Sequence, residues 1–404
     1  MTRNFIFLNR FFHPDHSATS QLLSDLAFSL AGEGLDVHII TGRQGYGDPG
    51  ARLPAGETVR GVRIHRVWTT RFGRRNLVGR TFDYMTFYAS AAWRLWRLAR
   101  RGDVVVAKTD PPLISVVATR VGRFRTAILV NWVQDLFPEV ASASGVYGMK
   151  GWFASQLCRL RNASLRFARM NVVVGEGMAT QLVREGIADD RVQVIHNWAD
   201  GMAIRPQNSS ENPLRQEWDL ADKFVVGYSG NMGRAHEFET MLDAAELLNE
   251  QAQIVFLFIG DGAQRAWVEE RVKTKGLQNI LFRPYQPRES LAQSLTVPDV
   301  HLISLRPELE GLMVPSKFYG IAAAGRPVIY VGDSEGEIGT IIQDANCGVA
   351  IPQGDPASLA AQVRKLDSKR DLCCHMGRNA RAVFEQRFER RSALSAWKQL
   401  LSEV

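Results

Sequence analysis

Cysteine is scarce: four residues among 404 (Cys158, Cys347, Cys373 and Cys374), with no metal-ligand spacing and no disulfide pattern. A disulfide framework is excluded, and a reducing cytoplasm is the expected compartment. No apolar run approaches the roughly 20 residues that a membrane-spanning helix needs. Met1 to Leu8 passes directly into a strand-like segment without a signal-peptide pattern. A GxxxxGK(S/T) phosphate loop, HExxH and CxxC are all missing. So is any Asp-x-Asp pair that could hold a divalent metal on a diphosphate. The eight histidines are scattered, and no short tandem repeat occurs.

What is present is ordinary for a globular protein, 45% apolar and 23% charged residues. The charge is uneven. Residues 1–200 hold 26 Lys and Arg against 16 Asp and Glu, a balance of +10, whereas residues 201–404 hold 23 against 26, a balance of −3. The basic half suits an anionic partner: a membrane surface, a nucleic acid or a phosphorylated acceptor.

Short β-branched runs alternate with amphipathic stretches in two blocks. The first has strand-like runs at 4–8, 36–41, 62–67, 103–107, 127–131, 171–174 and 193–195. A polar, proline-bearing linker follows at 197–213. The second block has runs at 224–229, 254–259, 280–282, 300–305, 328–330 and 348–351. Runs apolar on both faces, separated by helical patterns, imply two doubly wound α/β domains, 1–200 and 214–385. Residues 378–401 read as one long terminal helix.

Two segments fall where such sheets bind ligands, beyond the carboxyl ends of strands. In VVGYSGNMGRAHE (225–237) a strand runs into Gly230, Asn231, Gly233 and Arg234 and then a helix. Glycines let the backbone approach a ligand, and the helix start and Arg234 offer positive potential to phosphate. In ELEGLMVPSKFY (308–319), Pro315 and Ser316 open a helix whose first turn holds Lys317. A cation there opposes the helix dipole, so an anion nearby is expected.

The order of these motifs resembles the retaining, GT-B-fold glycosyltransferases of family 4 that assemble bacterial O-antigen, capsule and exopolysaccharide. The matching stretches are FFHPDHSATS (11–20), VQDLFPE (133–139), IHNWAD (195–200), YSGNMGR (228–234), IGDG (259–262) and VPSKFYGIAAAGRPVI (314–329). Pro315-Ser316-Lys317 with the later Gly336-Glu337-Ile338 resembles the subgroup handling amino or deoxy sugars. The resemblance implies two Rossmann-like domains facing a central cleft, with residues 386–404 crossing back to the first. It implies a nucleotide-sugar donor, most simply UDP-linked, and a lipid-linked glycan acceptor, with no nucleic acid and no metal or other cofactor. Arg234, Lys317 and Asp135 take the catalytic positions. Gly230, Asn231, Tyr285, Glu310, Gly311, Pro315, Ser316 and Glu337 take the donor side, and His13, Ser17 and Thr19 the acceptor side.

The chain departs from the family pattern at three places. The common Glu-x7-Glu pair falls on Leu312 and Gly320, which leaves Glu310 and Glu337 as the available carboxylates. His236 and Glu237 stand where a lysine is common, and Gln134 replaces a histidine beside Asp135. A sugar-nucleotide 2-epimerase or a non-catalytic sugar-nucleotide-binding scaffold would share the architecture. Arg71, Arg74, Arg75 and Arg80 precede an aromatic helix pattern at 81–101, and a second basic pattern follows at 149–168. Such helices lie on anionic lipid or pack on the sheet. With a lipid-linked acceptor, the expected location is the inner face of the cell membrane, held peripherally.

Overall fold

The computed structural model describes residues 3–45, 50, 52–73, 77–146 and 151–404. Two compact units emerge, Met1–His196 with Ala393–Val404, and Asn197–Ser392. Arg74 and Arg75, singled out in the sequence, lie outside the described residues.

The first unit holds β1 (Asn4–Leu8), β2 (Asp36–Gly42), β3 (Gly56–Val59), β4 (Val62–Val67), β5 (Val104–Lys108), β6 (Ile128–Val133), β7 (Met170–Val173) and β8 (Val192–Val194). They form one sheet in the order β3-β4-β2-β1-β5-β6-β7-β8, parallel except for the β3–β4 pair. Strand β3 is not expected from the sequence, because its residues Gly56, Glu57, Thr58 and Val59 sit half out of the core at the sheet's edge. The strand order reverses between β1 and β5, and in such sheets ligands bind at the carboxyl ends near that reversal. On one face Ile6, Leu8, Val105 and Leu129 pack under the helices Leu77–Leu98 and Ile114–Arg125. Burying such apolar surface supplies about 25 cal/mol per Å².

The second unit holds β9 (Phe224–Ser229), β10 (Ile254–Ile259), β11 (Ile280–Arg283), β12 (Val300–Ser304), β13 (Val328–Val331) and β14 (Gly348–Ile351). Their order is β11-β10-β9-β12-β13-β14, all parallel. Both faces are covered, which is why β10 reads IVFLFI without alternation and is buried throughout. The stretch 197–213 is not a loose linker. Trp198 and Ile204 are buried, and Arg381 and Arg326 donate to the carbonyls of Ile204 and Gln207.

The expected single terminal helix is two. A helix Arg370–Val383 passes through a wide turn at Phe384–Phe388, breaks at Glu389, and resumes as Arg390–Glu403. Glu389 adopts extended backbone and bridges to Ala199, so a strand-like contact interrupts the helix without proline or glycine. The last helix belongs with the first unit. There Trp397 packs on Trp132 with ring centroids 4.5 Å apart, and Lys398 pairs with Glu33.

Candidate active site

The turn after β9 is built by close backbone approach. Gly230 has φ +119°, in the region that glycine tolerates best, and a Cβ there would stand 3.0 Å from Lys317 Cε. Gly260, which follows β10, presses against the Gly230 carbonyl, where any side chain would collide. Lys317 therefore runs beneath the turn. Its Nζ donates to Tyr228 Oη at 2.8 Å, to the Asn231 carbonyl at 3.1 Å and to His236 Nε2 at 2.8 Å. Removal from water lowers its pKa to about 7. The helix it opens is Lys317–Ala323, with Ser316 at the cap position but making no side-chain cap bond. Pro315 lies one residue before the cap, ahead of the helix it helps to open.

Arg234 is exposed beyond this turn, and no ion pair holds it among the described residues. Asn231 is exposed as well. Tyr285 projects beyond β11, about half exposed, and donates its hydroxyl to the Asp261 carbonyl at 3.3 Å. Gly230, Asn231, Arg234, Tyr285 and Lys317 thus follow or flank the carboxyl ends of β9, β11 and β12.

Glu310 and Glu337 meet at one place. The Glu310 carboxylate accepts from Tyr330 Oη and from the backbone N–H of Glu337. Burial pushes its pKa up, while those two bonds pull the other way. Gly311 has φ +70°, which turns the loop after Glu310. Glu337 begins the helix Glu337–Asp344, where a carboxylate suits the positive end of the dipole.

In the first unit Asp135 lies two residues past β6. Its Oδ1 is enclosed without a hydrogen-bond partner among the described residues. Burial, with Asp110 second, raises its carboxyl to about 7. It lines a small cavity with Thr109, Ser115, Asn131 and Arg161. Ser17 stands at the cap position of the helix Ala18–Gly32 without a side-chain cap bond, and its Oγ is enclosed and without a hydrogen-bond partner among the described residues. Thr19 is in the first turn of that helix, and the His13 ring meets Phe28 edge-on at 5.5 Å.

Sequence reasoning missed two features. Tyr228 and His236 are the partners of Lys317, 89 and 81 residues away in the chain. Lys108, at the end of β5, is 1% exposed, has no hydrogen-bond partner among the described residues, and its Nζ lies 3.4 Å from the Trp132 ring centroid. Burial drives its pKa far down. The only hint was a lysine ending an otherwise apolar strand.

Comparisons with known proteins fit this arrangement. Residues 19–198 match the family described as "Glycosyl transferase 4-like domain", and residues 210–383 match "Glycosyl transferases group 1". A probable glycosyltransferase, WbjE of Pseudomonas aeruginosa, is 32% identical over 77% of this chain and 78% of its own. The putative colanic acid biosynthesis glycosyl transferase WcaI of Escherichia coli K12 is 25% identical over 70% of each chain. Among solved structures, HepE of Anabaena in complex with UDP-glucose superposes with a TM-score of 0.73 at 16% identity, covering 99% of this chain and 100% of that one. Sucrose-phosphate synthase of Thermosynechococcus elongatus gives 0.79 at 16% identity, covering 99% and 98%. Two α/β sheets, parallel but for one edge pair, the two matched domains and the similarity to WbjE together show that the chain belongs to family 4 of the glycosyltransferases and is a glycosyltransferase of the GT-B fold.

Proposed function

We propose that the chain is a retaining, metal-independent glycosyltransferase. It moves a sugar from a UDP-linked donor, an amino or deoxy sugar by its subgroup, to a lipid-linked glycan in cell-surface polysaccharide biosynthesis. The observation that carries the reading is the glycine-rich turn after β9, with Lys317 beneath it and Arg234 beyond it. A diphosphate fits a backbone turn of this kind. The donor class is supported by HepE, which was solved with UDP-glucose, and the pathway by the colanic acid role given to WcaI.

Breaking a glycosyl–phosphate bond places charge on the leaving diphosphate. Cations fixed beforehand stabilise that charge more than they stabilise the bound donor. Lys317 and Arg234 supply such charge without a metal, and the chain has no Asp-x-Asp motif to hold one. If the acceptor attacks on the face that the diphosphate leaves, the departing phosphate oxygen takes the acceptor proton, and no strong protein base is needed. Asp135 then orients the acceptor hydroxyl. Glu310, held by Tyr330 and by the Glu337 N–H, and Glu337 are the carboxylates that could serve the donor's hydroxyls.

The first unit supports peripheral membrane attachment. No helix among the described residues is long and apolar enough to cross a membrane. The helices Leu77–Leu98, Ile114–Arg125 and Gly151–Phe167 pack side by side. They leave Trp93 64%, Phe124 77% and Trp152 76% exposed, where apolar rings ordinarily turn inward. Exposed Arg97, Arg101 and Arg123 stand among them. Aromatics interleaved with arginine suit an anionic bilayer surface, the inner face of the cell membrane where a lipid-linked acceptor would be met.

Incubation with radiolabelled UDP-sugars and a lipid extract tests the proposal. Label in the lipid fraction is expected. An epimerised donor, or donor binding without product, would replace it with an epimerase or a scaffold.

A further inference from the structure

His236 is buried, and its Nδ1 lies 2.5 Å from the Ser304 carbonyl at the end of β12. A carbonyl only accepts, so Nδ1 carries the proton and Nε2 is left as an acceptor. Burial, with the Lys317 charge second, drives the ring's pKa down to about 3, so the ring is neutral at working pH. Nε2 then receives one proton of the Lys317 ammonium at 2.8 Å.

An ammonium has three protons, and here all three meet uncharged acceptors. The bonds to Tyr228 Oη and His236 Nε2 are partly enclosed and 2.8 Å long. The bond to the Asn231 carbonyl is longer, 3.1 Å, and exposed. That carbonyl also accepts from Tyr228 Oη at 2.9 Å, so it keeps a donor if Lys317 turns away.

We propose that His236 is a positioning residue which, with Tyr228, fixes two N–H bonds of Lys317 so that the third can swing from the Asn231 carbonyl to the donor's diphosphate. This rests on the reading of the turn as the diphosphate site. The titratable groups facing the ammonium are Tyr228 from β9 and His236 from the turn, while β12 contributes the Ser304 carbonyl behind His236. Among the described residues no carboxylate offsets the desolvation that lowers the lysine to about 7. A bound diphosphate is the missing counter-charge and raises that value, so donor binding above pH 7 takes up a proton.

Calorimetry of UDP binding between pH 7.5 and 9, in buffers of different ionisation heat, counts that proton. Free UDP has lost its last phosphate proton by then, since that group titrates at about pH 6. Uptake approaching one proton, with affinity falling up to about tenfold per pH unit, is expected. Lys317→Met should weaken binding and abolish the uptake. His236→Leu should weaken binding and alter the uptake, and His236→Gln, whose amide oxygen can accept the same bond, should recover much of both.

A wild-type protein that binds UDP without proton uptake overturns the proposal. So does a His236→Leu protein that binds with wild-type affinity and uptake. In both cases the diphosphate site itself stands. Lys317→Met binding UDP as tightly as wild type removes the site reading beneath it. Should His236→Leu fail to fold, the wild-type linkage and His236→Gln still decide.

Discussion

The hydroxyl of Tyr330 donates to the carboxylate of Glu310, across 20 residues of chain. The same carboxylate receives the Glu337 N–H, and a side chain on Gly336 would run into it. Glu310 thereby ties the loop after β12 to β13 and to the start of the next helix. Glu310→Ala leaves two donors without an acceptor, which typically costs about 1–3 kcal/mol for each buried group. Glu310→Gln keeps an acceptor and should lose less than half as much. Urea denaturation of the two variants checks this, and equal losses would contradict it.

Asp135 makes stability depend on pH. Its folded carboxyl titrates at about 7, against about 3.9 when unfolded. Between those values the folded state holds a proton that the unfolded state has released, so stability from this group falls as pH rises from 4 to 7. Asp135→Asn should flatten the decline and be more stable than wild type at pH 8. Urea midpoints at pH 5 and pH 8 test this. A wild-type slope in the variant would show that another group titrates.

Lys108 should be replaceable at a gain. A buried amine without a hydrogen-bond partner, as Lys108 is among the described residues, typically costs about 1–3 kcal/mol. Its folded pKa is lowered, so the unfolded chain binds a proton that the folded one does not, and stability from this group rises with pH toward the ordinary lysine value. Lys108→Met should raise stability by about 1–3 kcal/mol at pH 7 and flatten that rise. Loss of stability in Lys108→Met would instead reveal a bound partner for the amine.

Vesicle binding should follow the first unit's arginines and rings. Each basic residue near an anionic surface contributes about 1 kcal/mol. Replacing Arg71, Arg80, Arg97 and Arg101 with glutamine should therefore weaken sedimentation with anionic vesicles by about 10²-fold or more, and added salt should weaken it further. UDP binding should be unchanged. If the wild type does not sediment at low salt, the exposed rings serve another surface.

Much of the fold was legible because β9, β10 and β12 are short apolar runs bounded by glycine or polar residues. The edge strand β3 was not, since Glu57 and Thr58 carry no core signal. The break at Glu389 was hidden because a strand-like contact with Ala199 imposes it, and no local breaker marks it. The aromatic pattern of Leu77–Leu98 was visible, but its division was not: Phe87 is fully buried and Trp93 largely exposed on the same helix. At the site, Gly230 and Lys317 stand out in the sequence, whereas the Lys317–His236 contact depends on β9 and β12 lying side by side. Periodicity carries no trace of that pairing.

In the proposed mechanism protein cations, and no metal, stabilise the departing diphosphate. The initial rate of sugar transfer to lipid in excess EDTA, for wild type, Arg234→Ala and Lys317→Met, tests this. Wild type should keep its rate, and each variant should lose about 10²–10³-fold, the usual effect of removing one preorganised charge-stabilising group. Complete loss of wild-type activity in EDTA, restored by magnesium or manganese, would contradict the claim, as would variants that transfer at the wild-type rate.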